Sequence, residues 1–268
     1  MRRILESISI ETVVIGWDKI AQGDRNPVAI GPGSERVGYR IAKILGPARG
    51  NSGGVHAALE RILRQAIASD ISARDAAARS GGSARLLAVR LPGLARVSRA
   101  VLRYHQPIDY GDVSSEEIEL FGPILTRYYE FLDELIGELI AGLGSDGTPL
   151  HVMVVSAYGI APLPGWQRFV APVLPSRGRP RETPAPSGSW SEGPDGILLV
   201  HGPGVAPGGR LEDAGLLDVL PTALYMLGAP VGDELKGQLL RRLFTQDYLE
   251  SHPVQIVHGF GQDNAPGF

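Results

Sequence analysis

This 268-residue chain contains 29 Asp and Glu residues, six His and no Cys, so carboxylate and imidazole groups are its means of holding a metal or moving a proton. The lack of Cys removes thiolate metal sites, a Cys nucleophile and a disulfide framework. His201 closes an apolar run at the end where α/β sheets open their clefts, although a single His before Gly202-Pro203-Gly204 also suits a hydrogen-bonded structural role. Asp18, at the end of Thr12–Trp17, is a candidate metal ligand or a loop residue at a strand end. His105 and Asp109 are four apart, but Pro107 between them breaks the helical face they would need to share. No His pair has the HExxH spacing. His151, His252 and His258 fall at element margins, and His56 begins a helix, so all four are expected at solvated positions. Gly31–Ser34 and Gly50–Gly54 precede helices whose free N–H groups can hold an anion. Neither carries the Lys of a phosphate loop, so both read as turns. Arg177–Arg181 reads as a solvated loop, with an acidic partner as the sharper reading.

The elements that must position these groups follow from hydrophobic spacing. Thr12–Trp17, Leu86–Leu91, His151–Ser156 and Gly196–Val200 are short apolar runs without polar alternation, the pattern of strands buried on both faces of a parallel sheet. Helices are expected at Ser34–Leu45, Val55–Ser69, Ser115–Leu143, Asp218–Leu227 and Asp233–Phe244. Ser114 with Glu117 forms a capping-box pattern, and Pro123 should kink the third helix early. Asp218 is expected to cap the fourth helix, with Pro221 in its first turn. Alternating strands and helices predict one α/β domain over residues 1–268, a three-layer sandwich with a mostly parallel central sheet. The stretch 162–194 holds eight prolines in 33 residues and reads as a loop excursion.

Composition sets outer limits. Hydrophobic residues make up 43% and charged residues 21% of the chain, which excludes disorder, a coiled coil and collagen. A net charge of −3 excludes a strongly basic face for nucleic acid. The basic residues are 23 Arg against three Lys, a bias that points to a GC-rich genome more than to a function. Met1-Arg2-Arg3 starts like a leader, but Glu6 and Glu11 interrupt the apolar stretch. No run approaches the roughly 18 apolar residues of a membrane span. A soluble, cytoplasmic protein without membrane or nucleic-acid partners is expected.

Two segments carry a more specific signal: His151-Val-Met-Val-Val-Ser-Ala-Tyr-Gly159 and Asp195-Gly-Ile-Leu-Leu-Val-His-Gly-Pro-Gly204. The second is followed by Gly208-Gly-Arg-Leu-Glu212, Leu217–Gly228 and Leu235-Lys-Gly237. With Arg127–Asp133 and Tyr248–Val254, this order resembles the alkaline phosphatase superfamily over roughly residues 84–258. The likeness is to its type I phosphodiesterase/nucleotide pyrophosphatase-like phosphohydrolases. The resemblance implies two divalent ions, usually zinc, clamping a phosphate while a Ser or Thr attacks in line. It also implies a ligand pair, Asp and then His three residues later, after the strand at Leu86–Leu91. Ala95 and Ser98 stand there. Where the family has Ser-Asp-His-Gly, this chain reads Ser156-Ala157-Tyr158-Gly159, and Trp190 takes the place of the last His. Ala, Ser, Ala, Tyr and Trp are not zinc ligands.

The start of the chain has two readings. Val13–Asp18 is either the family's first strand with Asp18 as its ligand, or a later strand with Asn26–Ile30 following the nucleophile. We prefer the second, since only 85 residues precede Leu86. The fold would then lack its N-terminal strands and the nucleophile. A catalytically degenerate scaffold for binding or assembly is therefore expected, inactive alone, with no cofactor, as a homo-oligomer or bound to a partner protein. The alternative is an active phosphohydrolase using zinc or manganese with unrecognised ligands, or with its missing half supplied by another chain.

Overall fold

The computed structural model describes residues 12–15, 34–47, 53–80, 84–145, 147, 149–163, 186–189 and 193–258. Asp18, Trp190, Asn26–Ile30, Arg177–Arg181 and most of the proline-rich stretch lie outside them.

Five of the described helices build the core. In α1 (Ser34–Leu45) Val37, Ile41, Ile44 and Leu45 are buried at helical spacing, and Gly46 ends the helix with φ +72°. A left-handed residue at this point is the usual helix stop, because glycine alone has no Cβ to clash. α2 (Gly53–Ser80) runs eleven residues past Ser69, the expected end. Its apolar stripe continues through the small residues Ala73 and Ala77, and the polar Asp70 sits on the same buried face. α3 (Gly93–His105) contributes Val97, Val101 and Tyr104 to the core. The long helix expected over Ser115–Leu143 is two helices, α4 (Ser115–Phe121) and α5 (Ile124–Leu143). Pro123 lacks the N–H that would continue the ladder, so the chain breaks there instead of kinking. The Ser114–Glu117 capping box forms, with the Glu117 N–H donating to Ser114 Oγ at 3.2 Å and the Ser114 N–H to Glu117 Oε2 at 3.0 Å. α5 buries Ile124, Leu125, Tyr128, Phe131, Leu132 and Leu135 against α1, α2 and α3.

The strands are mixed in direction. β1 (Thr12–Ile15) pairs in parallel with β2 (Leu86–Val89), Thr12 opposite Leu86. β3 (Val152–Tyr158), β4 (Ala161–Pro162), β5 (Gly188–Ser189) and β6 (Asp195–His201) follow. Here the parallel expectation fails: β3 and β6 are antiparallel, Val152 opposite His201 and Tyr158 opposite Asp195. The cause is the return path of the chain. β4 and β5 are antiparallel too, the Gly159 N–H donates to Pro194 O at 2.8 Å, and the Leu163 N–H to Ser187 O at 3.0 Å. These bonds zip the two arms of one excursion together. The last pair, β7 (Val231–Gly232) and β8 (Ile256–Val257), is parallel. The described strands therefore form four two-stranded sheets, and the chain is a mixed α/β protein whose core lies among helices.

The C-terminal part departs from expectation in two places. α6 (Val219–Met226) forms, but Asp218 does not cap it. Its carboxylate accepts the Gly215 N–H at 2.8 Å and the Gln238 N–H at 2.7 Å instead. The helix expected at Asp233–Phe244 is absent. A Cβ on Gly237 would lie 1.9 Å from Leu217 O, so glycine lets this strand of chain press directly onto the turn before α6. Its N–H groups are spent there, Leu240 donating to Thr222 Oγ1 at 3.1 Å. A short helix the sequence reading missed, α7 (Gln246–Ser251), is capped by Thr245, whose side chain accepts the Tyr248 N–H. No helix among the described residues is long and apolar enough to cross a membrane.

Candidate functional site

The substituted ligand positions fall on α3 and at the end of β3. Ala95 is exposed in the first turn of α3, while Ser98, one turn on, is buried. Ala157 and Tyr158 are exposed at the carboxyl end of β3, with Asp195 directly across from Tyr158. Backbone contacts bring these elements together. Arg99, next to Ser98, accepts from the Ser187 N–H at 2.8 Å and from Ser187 Oγ at 3.0 Å. Tyr110 donates its hydroxyl proton to Ser187 O. Thus α3, β5 and the strand end carrying Tyr158 form one region, although the Asp18 and Trp190 positions lie outside the described residues.

His201 does not belong to that region. Because β3 and β6 are antiparallel, His201 ends β6 at the opposite end of the ribbon from Tyr158. Six residue steps of ~3.4 Å separate the two ends by about 20 Å. His201 is exposed, and a cleft shared with Ala157 and Tyr158 is excluded by strand direction. Of the other histidines, His56 is half-buried with Nε2 3.0 Å from Gly46 O, which corrects the expectation of a solvated side chain. His151 Nε2 lies 3.0 Å from Pro203 O, and His258 Nδ1 lies 2.6 Å from Asp233 Oδ2. His105 ends α3, whereas Asp109 lies in a separate turn at Pro107–Asp109. Among the described residues no three His, Asp or Glu side chains gather as a metal site would require.

Two polar clusters escaped the sequence reading. One centres on Asp70, which is fully buried on α2. Its Oδ1 accepts the Gly93 N–H at 3.0 Å and its Oδ2 the Tyr128 hydroxyl at 2.8 Å. The carboxylate thus sits at the positive N-terminal end of α3 and ties α2, α3 and α5 together. Burial pushes its pKa up to about 6, against the opposing pull of the two hydrogen bonds and the Arg96 charge. Burial and the Asp70 charge raise the Tyr128 phenol, which therefore stays protonated and donates. A perturbed carboxyl often marks an active site; this one faces a closed core and is a structural clamp. Its signal in the sequence was a lone acid on the apolar face of α2.

The second cluster is an ion network between α1, α2 and α5. Arg40 pairs with Glu134, Lys43 donates to Glu134 at 2.8 Å, and Arg74 pairs with Glu138. The hydrogen bond that Lys43 donates to Glu134 raises the Lys43 pKa, and the same bond, followed by that from Arg40, lowers that of Glu134. Arg36 and Arg40 on α1, and Glu134 and Glu138 on α5, are each spaced four apart, the signal that could have revealed two facing charged stripes.

Neither a protein-family model, nor a curated protein, nor a solved structure matches this chain.

Proposed function

We propose that this chain is a catalytically degenerate relative of the alkaline phosphatase-like phosphohydrolases, a cytoplasmic protein that keeps a three-layer α/β scaffold for binding or assembly. One observation carries the reading: Ala95, Ser98, Ala157, Tyr158 and Trp190 stand where the resemblance calls for Asp and His. A methyl group cannot ligate zinc, and losing the ligands removes both metal affinity and the charge that stabilises a phosphoryl-transfer transition state. Assembly is supported by the β3–β6 ribbon. Ile197 is 54% exposed, Leu199 60%, Val155 40% and Tyr158 55%, so apolar side chains on both faces meet solvent. Such a surface favours a homo-oligomer or a partner protein.

The test joins elemental analysis of the purified chain, an assay with bis(p-nitrophenyl) phosphate plus zinc or manganese, and light scattering. No stoichiometric metal, no turnover above background and a mass above that of one chain are expected. One or two bound ions per chain, or metal-dependent turnover, overturns the loss of catalysis, and a monomer overturns the assembly role.

A further inference from the structure

The helical face carries a cavity of about 410 Å³ between α1, α2 and α5. Arg36, Arg40, Arg74 and the acidic Glu138 line it, and Ile71, Phe131 and Leu135 give it an apolar wall. None of Ala95, Ser98, Ala157 and Tyr158, the substituted positions among the described residues, lines it. We infer that this cavity is a binding site for a small organic anion, an aromatic or aliphatic body bearing one phosphate or carboxylate group.

Charge and donor geometry support this. Arg36 has no ion-pair partner among the described residues, and its side chain is exposed at the start of α1. Arg40 is held by Glu134 through Nη1, while its Nη2 lies 3.9 Å from Glu138, beyond hydrogen-bond reach. A guanidinium offers five N–H donors in a planar fork that matches a carboxylate or a phosphate. Glu134 and Glu138 hold Arg40 and Arg74, Asp75 lies 2.7 Å from Arg74 Nε, and among the described residues Arg36 adds a cationic group without an ion-pair partner. The aromatic side fits an organic body rather than a bare ion. Arg40 lies 5.7 Å over the Phe131 ring, and Tyr39 stands 68% exposed at the rim. A ring placed in the cavity would have Phe131 and Tyr39 beside it and guanidinium groups at its anionic end.

Calorimetric titration of the full chain with phenyl phosphate, benzoate, inorganic phosphate and benzyl alcohol tests the inference. Saturable binding of phenyl phosphate, benzoate or both is expected, with the pair telling which headgroup the site prefers. Inorganic phosphate and benzyl alcohol should bind at least about tenfold more weakly, because each lacks one half of the ligand. Arg36→Ala and Tyr39→Ala, both at exposed side chains, should each weaken binding by about tenfold at unchanged melting temperature. Arg210→Ala, outside the cavity, should leave it unchanged. Absence of saturable binding by both organic anions at millimolar concentration overturns the site. So does binding that Arg36→Ala leaves intact, or inorganic phosphate binding as tightly as phenyl phosphate. The outcome is independent of any phosphohydrolase ancestry, since metal content and turnover are not read.

Discussion

The Tyr128 hydroxyl donates to Asp70 Oδ2 at 2.8 Å, and both side chains are fully shut from solvent. The pair joins the middle of α2 to the first half of α5, and the Gly93 N–H brings in the start of α3. A buried carboxylate costs free energy when charged, and its two hydrogen bonds offset only part of that.

The pH dependence of stability follows with a definite sign. Asp70 rises from the ordinary value of 3.8 to about 6 on folding. The folded state then holds the proton more tightly, so the contribution is full below pH ~4 and is lost as the pH climbs through about 6. The difference corresponds to about 3 kcal/mol. Asp70→Asn keeps an acceptor for Gly93 and carries no charge. Its stability minus that of the wild type, measured by urea unfolding, should grow between pH 5 and pH 7. A constant difference across that range would rule out titration of Asp70.

Gly93 tests the same clamp from its other side. A Cβ there would lie 2.0 Å from Tyr128 Oη and 2.3 Å from Asp70 Oδ2. Gly93→Ala must push both groups apart, and a loss of about 2–4 kcal/mol is expected in chemical denaturation. Ala95→Gly, an exposed change in the same turn of α3, should cost only about 1 kcal/mol. Equal losses would mean that helix propensity, not the clamp, sets the effect.

Local patterns were legible in the sequence and long-range pairing was not. The four runs of β-branched residues all contain strands, and the spacing of Val37, Ile41 and Ile44 places α1 correctly. An apolar run carries no mark of direction, however. Whether β3 meets β6 in parallel or antiparallel depends on the β4–β5 pairing, two residues per strand that no periodicity reveals. That direction moved His201 away from Tyr158. Asp70 hid for a different reason: one polar residue among Ile67, Ala73 and Ala77 looks like the end of a stripe unless its partner Tyr128, 58 residues on, is already placed.

The exposed ribbon gives a test of assembly. Ile197 and Leu199 lie on one face of β6 and are more than half exposed. Ile197→Lys with Leu199→Lys therefore removes little buried area within one chain, and monomer stability should shift by no more than about 1 kcal/mol. Two ammonium groups on that face should nevertheless dissociate any complex seated there, because an interface core does not tolerate unpaired charge. Sedimentation velocity should show the variant at a lower mass than the wild type. An unchanged mass would place the contact elsewhere.

Thr222 is one of the groups that hold the chain after Asp233 against α6, and its part can be tested at one amide. The side chain is fully buried on α6, and its Oγ1 accepts the Leu240 N–H. Thr222→Val keeps the shape but leaves that half-buried N–H without an acceptor, a cost of about 1–3 kcal/mol. Thr222→Ser keeps the acceptor and loses a methyl, so its cost is a matter of packing alone. The two variants should separate in hydrogen exchange at the Leu240 amide. Valine should release it by an order of magnitude or more, as expected for about 1.4 kcal/mol of lost protection. Serine should leave it close to the wild-type rate. If both variants exchange alike, the Thr222 hydroxyl does not hold this segment against α6, and the Gln238–Asp218 hydrogen bond and the close seat of Gly237 on Leu217 are left to set its path.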